Sequence, residues 1–288
     1  MKLYGYIGIT IVILAEVFLF TENQIVGHWF TPIVWTGYIL FVDAMVFRVA
    51  GRSLLTTHRL ELLIIVIVSI AAWWIFEFYN TPRFWRSDSE LWWHYHNLEP
   101  NPYLRRVGYD WAFATISPAI FLTARLLIVT VFANTGAMRR IETPRAGLYL
   151  LIAIGTVGTL LPLIFLSGWL APVVWIGFIF LLDPINYLRG WPSIVGDLRI
   201  GNYKRLLALL VGGGLCGILW EFWNYWALSK WTYTVPYLGN VKIFEMPVLG
   251  YLGFPPFAVE CWVIYIFFRS LLTKAPARFE NDELWISA

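Results

Sequence analysis

Charge is what this 288-residue sequence holds least of: Asp, Glu, Lys and Arg make up 14% of it, against 59% hydrophobic residues and a mean hydropathy of +0.66. Soluble globular domains carry about a quarter charged residues, so that class is excluded. Cysteine is scarce as well. Cys216 and Cys261 both fall inside apolar runs, which rules out a disulfide framework and makes them small packing residues. The net charge of +3 is too small to argue for a nucleic-acid partner. Of four histidines only His94 and His96 stand two apart, where an extended strand would put them on one face. The matching loop of the second half holds no His or Cys cluster, so no metal is expected. The glycines of "VGGGLCG" (211–217) lie within an apolar run rather than after a strand, which excludes a dinucleotide fingerprint. No cofactor is expected.

Apolar length and aromatic rings are what the chain has in quantity. Eight segments are long enough to cross a bilayer as helices, near 5–21, 30–47, 61–79, 109–132, 147–166, 171–188, 205–225 and 249–268. Backbone amides in lipid must be satisfied within the segment, so the expected fold is all-α, a polytopic helical bundle. The first segment has Lys2 before an apolar run, as a signal peptide does. Glu16 interrupts it and no small-residue cleavage site follows, so it is expected to be retained. Placing the amino terminus in the cytoplasm leaves 14 Lys and Arg on that side and 6 outside, with Arg125 inside a segment. That imbalance predicts both termini in the cytoplasm of a bacterial or archaeal plasma membrane.

The chain also repeats itself. "WFTPIVWTGYILFVD" (29–43) and "WLAPVVWIGFIFLLD" (169–183) share seven identities in fifteen positions at an offset of 140, where chance gives roughly one or two. At an offset of 144, "FEFYN" (76–80) meets "WEFWN" (220–224), pairing Glu77 with Glu221 and Asn80 with Asn224, and Arg125 meets Arg269. The expected organisation is a first four-helix repeat over 1–132, a linker over 133–146, a second repeat over 147–272 and a polar tail over 273–288. Each unit has an even number of spans, so the two enter the membrane in the same direction, about an axis along its normal.

A charge within a span costs on the order of 3 kcal/mol and calls for a partner or a purpose. Glu16, Glu77, Asp110, Glu221, Glu245 and Glu260 stand within or beside the spans on the external side or near mid-depth, and they suggest a polar pocket there. Glu260 is the deepest. Asn80 and Asn224 follow their glutamates by three positions, on the same helical face, where an amide could orient the carboxyl. The alternative for Glu77 and Glu221 is that each simply reaches water at an aromatic membrane edge. Asp43 and Asp183 are expected to form structural ion pairs with Arg48, Arg52 and Arg189. Arg125 and Arg269 are expected to anchor helices to lipid phosphates. The rings gather in two places: Trp73, Trp74, Trp85, Trp92, Trp93 and Trp111 around the first external loop, and Trp220, Trp223, Trp226, Trp231 and Tyr233 around the second. An interfacial belt accounts for part of this density. The rest suits an apolar ligand or a transient cation.

The run "WEFWNYWALSKWTY" (220–233) with Pro236, followed by "LGNVKIFEMPVLGYLGF" (238–254), resembles the integral-membrane lycopene cyclases of the small-subunit or fused type. The resemblance covers about forty residues of the second half, Trp220 to about Glu260. The family's adjacent acid pair after a proline is replaced here by Glu245 before Pro247. The resemblance implies a duplicated helical bundle, a polyisoprenoid-like ligand, and acid–base closure of a polyene end with no net redox change. It makes Glu221 the counterpart of the upstream acid and Glu245 that of the motif acids. The candidate catalytic residues are therefore Glu221, Glu245, Glu260 and Glu77. Asn80, Asn224, Trp220, Trp223, Trp226, Trp231 and Tyr233 are the candidates for binding a membrane lipid or isoprenoid, in a monomer or a homo-oligomer. The competing expectation is a proton- or cation-coupled transporter, in which Gly212, Gly213 and Gly214 would break the seventh helix. Close helix packing is the other use for those glycines.

Overall fold

The computed structural model describes residues 1–81, 91–165, 167–236, 238–273 and 284–285. The first half runs α1 (Leu3–Phe20), α2 (Gln24–Ala50), a short α3 (Leu54–Thr57), α4 (Arg59–Asn80), β1 (Trp93–His96) and α5 (Pro102–Val129). The second runs α6 (Arg145–Ile164), α7 (Ala171–Leu188), a short α8 (Ile194–Ile200), α9 (Lys204–Trp226), β2 (Lys230–Tyr233) and α10 (Phe254–Thr273). A 3-10 turn (Gly168–Leu170) leads into α7, and β3 (Lys242–Ile243), β4 (Met246–Pro247) and a 3-10 segment (Val248–Gly253) lead into α10. The fold is all-α. Eight helices among the described residues are long and apolar enough to span a bilayer, which gives the chain the character of an integral membrane protein. Arg83, Trp85, Arg86 and the tail's Lys274 and Arg278 lie outside the described residues.

The predicted spans all become helices, several with longer ends. α2 begins earlier because Asn23 caps it, accepting from Val26 N–H at 3.0 Å. α5 starts seven residues before the predicted 109 because Asn101 caps Tyr103 and Leu104, with Pro102 in the first turn. At the other end of the bundle, Gly51 and Gly190 both take φ of +74°, a left-handed conformation that turns the chain sharply after α2 and α7.

After those turns the two aspartates find their partners, which are not the arginines expected from the sequence. Asp43 accepts from Ser53 Oγ and Tyr4 Oη, both at 2.7 Å, and from Leu55 N–H at 3.0 Å. Asp183 accepts from the N–H groups of Ile194 (2.7 Å) and Val195 (2.9 Å). Each carboxylate thus satisfies free amides at the start of a short helix, α3 or α8. An aspartate poised over a helix start needs no cationic partner.

α4, α5, α9 and α10 form the centre. α5 packs on α2, α4 and α9, while α10 packs on α7, α9 and α4, and the pairs α1–α2 and α6–α7 flank this core. α9 is unbroken through its three glycines. A Cβ on Gly213 would lie 2.6 Å from both Ala258 Cβ and Phe254 O of α10, and one on Gly212 would lie 3.2 Å from the backbone of α5 at Ala124. The glycines admit neighbouring backbones and do not interrupt the helix.

Arg125 and Arg269 are buried, each 6% exposed, so neither reaches lipid headgroups as the sequence suggested. Arg269 Nε reaches both oxygens of the buried Glu61, at 2.8 and 2.9 Å, and Tyr265 donates to the same carboxylate. Arg205 pairs with Asp197 in the same buried fashion. Part of the tail expected to be polar is also inside: Trp285 is 1% exposed and Leu284 O accepts from Trp262 Nε1 at 2.9 Å.

Candidate functional site

The last turns of α4 and α9 each end in Glu-x-x-Asn. Asn80 Oδ1 accepts from the N–H groups of Trp92 (2.8 Å) and Trp93 (3.3 Å), and its Nδ2 donates to Trp93 O at 2.9 Å. Asn224 does the same for Trp231, accepting from its N–H at 2.9 Å and donating to its carbonyl at 2.8 Å. One amide group holding both polar atoms of a residue fixes where the following strand begins. The strands so held, β1 and β2, pair antiparallel, with Trp93 opposite Tyr233 and Tyr95 opposite Trp231. A two-stranded ribbon is marginal by itself, so these clamps and the rings beneath it are what keep it in place.

The ribbon aims one tyrosine at each glutamate. Tyr95 Oη donates to Glu77 Oε1 at 2.5 Å, and Tyr233 Oη donates to Glu221 Oε1 at 2.7 Å. Burial, and then the adjacent carboxylate, pushes both hydroxyls well above the ordinary tyrosine range, so they remain donors. The two stations differ in their indoles. Trp73 and Trp93 both donate to Glu77 Oε1, at 3.1 and 3.2 Å. In the second half Trp231 Nε1 donates to Tyr233 Oη at 2.6 Å. Glu221 is 0% exposed and its Oε2 has no hydrogen-bond partner among the described residues.

Glu221 lines a cavity of about 510 Å³ beneath the ribbon, within the usual range for small-molecule sites. Much of the wall is aromatic, with Trp73, Trp93, Trp175, Trp220, Trp231 and Phe257 at its centre. These rings brace one another: Trp73 and Trp175 stand edge-on to Phe257, with centroids 5.8 and 5.4 Å away. A ring-lined space with one under-bonded carboxyl can hold an apolar chain, deliver or accept a proton at one point, and offer ring faces to positive charge.

The acids therefore do not converge on one polar pocket, as the sequence suggested. Of the four candidate catalytic residues only Glu221 is in the wall. Glu77 takes its three donors on Oε1. Glu245 lies outside the wall, paired with Lys230 at 2.9 Å. Glu260 is fully buried about one turn further along α10 than Phe257, where its Oε1 accepts from Phe178 N–H at 3.0 Å. Of the other acids, Glu16 accepts from Trp223 Nε1 at 3.0 Å, and Asp110 accepts from Trp74 Nε1 at 2.7 Å.

The candidate binding residues divide likewise. Trp220, Trp231 and Tyr233 line the cavity, whereas Asn80 and Asn224 are committed to the ribbon backbone. Trp223 packs edge-on against Trp35 at 5.0 Å, and Trp226, 46% exposed, lies against Phe20 on the outer surface. His94 and His96 hydrogen-bond to Thr234 and Thr232 of the ribbon, and no group of three metal-ligating side chains occurs among the described residues.

Sequence reasoning passed over the pairing of Trp93-x-Tyr95 with Trp231-x-Tyr233. Its offset is 138 rather than 144, because the first loop is six residues longer, and a constant-offset search does not register it. His28, which also lines the cavity, carries no local signal, and Trp175 shows in the sequence only as a repeat match. Comparisons with protein-family models, curated proteins and solved structures return no match to the chain.

Proposed function

We propose that the protein is a membrane-embedded enzyme that binds a polyisoprenoid or similar unsaturated lipid in the aromatic cavity and moves protons on it with Glu221. The observation that carries this reading is the Glu221 carboxyl: buried, held through Oε1 by Tyr233 at 2.7 Å, unpartnered at Oε2, and part of a residue that lines a cavity of rings. A proton passed from Oε2 to a carbon–carbon double bond leaves a cation on the chain and a carboxylate on the enzyme. The ring faces stabilise the cation and the walls keep water from trapping it. Loss of a neighbouring proton, returned to Glu221, gives an isomerised or cyclised product with no redox change.

The resemblance of the Trp220–Glu260 stretch to integral-membrane lycopene cyclases agrees with this chemistry, with Glu221 as the acid. The unbroken α9 favours an enzyme over a transporter of the broken-helix kind. The Lys and Arg distribution supports both termini in the cytoplasm and the ribbon at the outer face of a bacterial or archaeal plasma membrane.

The test is expression in a bacterial host that accumulates coloured polyenes, with extraction and chromatographic analysis of the pigments. The wild type should change the pigment profile and Glu221→Gln should not, while inserting in the membrane normally. An unchanged profile with the wild type overturns the carotenoid version, and full activity of Glu221→Gln overturns the acid assignment.

A further inference from the structure

Two sectors of the cavity wall correspond through the repeat. One comes from α2 and α5, including Pro32, Ala112 and Phe113; the other comes from α7, α10 and the segment before α10, with Pro172, Pro256 and Phe257 at the corresponding positions. Each sector runs out to an exposed leucine on the flank of the bundle, Leu104 (47% exposed) on one side and Leu252 (71% exposed) on the other.

The two sectors differ in chemistry. Where the α7–α10 side offers Leu249, the α2–α5 side offers Arg105, and His28 stands where its counterpart is Gly168. Arg105 is engaged internally, donating to the carbonyls of Glu99 (2.7 Å) and Pro100 (3.1 Å). Lys230 is likewise held by Glu245 and by Tyr225 O. His28 is different. Its Nδ1 lies 3.0 Å from Asn97 O and 3.2 Å from Ser229 Oγ, while Ser229 Oγ donates its one proton to that same carbonyl at 2.7 Å. A carbonyl oxygen only accepts and the serine proton is already placed, so in the neutral ring Nδ1 carries the proton and Nε2 is the acceptor. Asn97 takes φ of +50° to present that carbonyl, a conformation asparagine tolerates better than most residues.

We propose that the ligand is a single-chain lipid alcohol: its hydroxyl donates to Nε2 of His28 at the α2–α5 mouth and its hydrocarbon chain runs past Glu221 towards the apolar α7–α10 mouth. This rests on reading the cavity as a lipid site. An acceptor at the mouth selects a donor, which a hydroxyl supplies and an ionised phosphate or carboxylate does not. Among the described residues the opposite mouth offers no second polar anchor, which favours one chain with one head.

The probes are all-trans-retinol and its methyl ether, which have nearly the same shape and a polyene that accepts energy from tryptophan. Each is titrated into the purified full-length protein in lipid nanodiscs, and loss of tryptophan emission is followed. The wild type should bind the alcohol about tenfold more tightly than the ether, as one net hydrogen bond allows. His28→Phe should bring the two affinities together while leaving that of the ether unchanged, which also shows that the cavity survives the substitution. His28→Gln, whose amide oxygen can take the same proton, should keep part of the preference. Equal affinities in the wild type, or a full preference retained in His28→Phe, overturn the proposal and leave the lipid site standing. If neither probe binds the wild type, the lipid site falls and this inference with it.

Discussion

Replacing Arg269 by Met would leave the Glu61 carboxylate buried without its cation. The geometry sets the scale: Glu61 is 3% exposed, its two oxygens lie 2.8 and 2.9 Å from Arg269 Nε, and Tyr265 donates to it as well. Leaving one member of such a pair alone in a low-dielectric interior costs about 3–5 kcal/mol, while replacing both by apolar groups of similar size is about neutral. For a chain of this size about 2–4 °C of melting temperature goes with each kcal/mol, so either single substitution should lower the melting point by about 10 °C. Melting would be followed by intrinsic tryptophan fluorescence of the protein in detergent micelles. Arg269→Met and Glu61→Met should each show the loss, and the double substitution should recover most of it. Single variants that melt with the wild type would refute the burial of the pair. A double variant that loses the sum of the two would refute the coupling.

Asn224→Ala would strand the N–H and C=O of Trp231. It should cost about 1–3 kcal/mol and speed amide hydrogen exchange across β2 ahead of the helices, with Asn80→Ala doing the same at β1. The raised Tyr95 and Tyr233 hydroxyls give an alkaline signature. The stability they contribute is complete below about pH 10, where an unfolded tyrosine is still neutral, and is lost as pH rises towards their folded values. Tyr95→Phe and Tyr233→Phe should flatten the fall of melting temperature above pH 10, and an unchanged alkaline slope would count against that origin. Gly213→Val would press on Ala258 and the Phe254 carbonyl and should cost about 1–3 kcal/mol, read as a lower melting point, whereas Gly214→Ala, with only a Pro255 contact at 3.9 Å, should be tolerated.

The helical class was legible because it rests on long apolar runs, which report themselves locally. So did the Glu-x-x-Asn twins, since both members stand on one helix at a fixed offset. What each twin does was not legible, because the amide of Asn80 is spent on Trp92 and Trp93, twelve and thirteen residues away across a loop. The partners of Glu61 were hidden for the same reason: Arg269 is 208 residues distant and belongs to the other half of the chain. Arg269 taken alone at the end of an apolar segment reads as a lipid anchor, and only the packing of α10 on α4 brings the acid to it. Asp43 and Asp183 misled differently. Nearby arginines suggested ion pairs, while free amides and hydroxyls of the next turn, which composition does not display, were closer.

The most consequential departure from symmetry is a single ring. At the repeat offset of 144 the counterpart of Trp73 is Gly217, and the ring of Phe254 occupies the space a side chain there would take. Trp73 therefore closes a third hydrogen bond on Glu77, at 3.1 Å, that the second half cannot form on Glu221. Trp231 widens the difference, since its indole is 2.6 Å from the Tyr233 hydroxyl, whereas Trp93 donates to Glu77 itself. Two stations with the same Glu, Asn, Trp and Tyr thus end with unlike carboxyls: one half-buried, taking two indoles and a phenol on Oε1, the other fully buried, taking a phenol on Oε1 with Oε2 unpartnered among the described residues. Buried polar atoms in folded proteins are normally satisfied, so an unsatisfied one on a residue that lines a cavity calls for an explanation, and a reaction is one. Where two halves match in sequence, one station can give up a structural bond while the other keeps its share of the ribbon in place. That freedom is a physical reason for the proposed chemistry to sit at Glu221 and not at its twin.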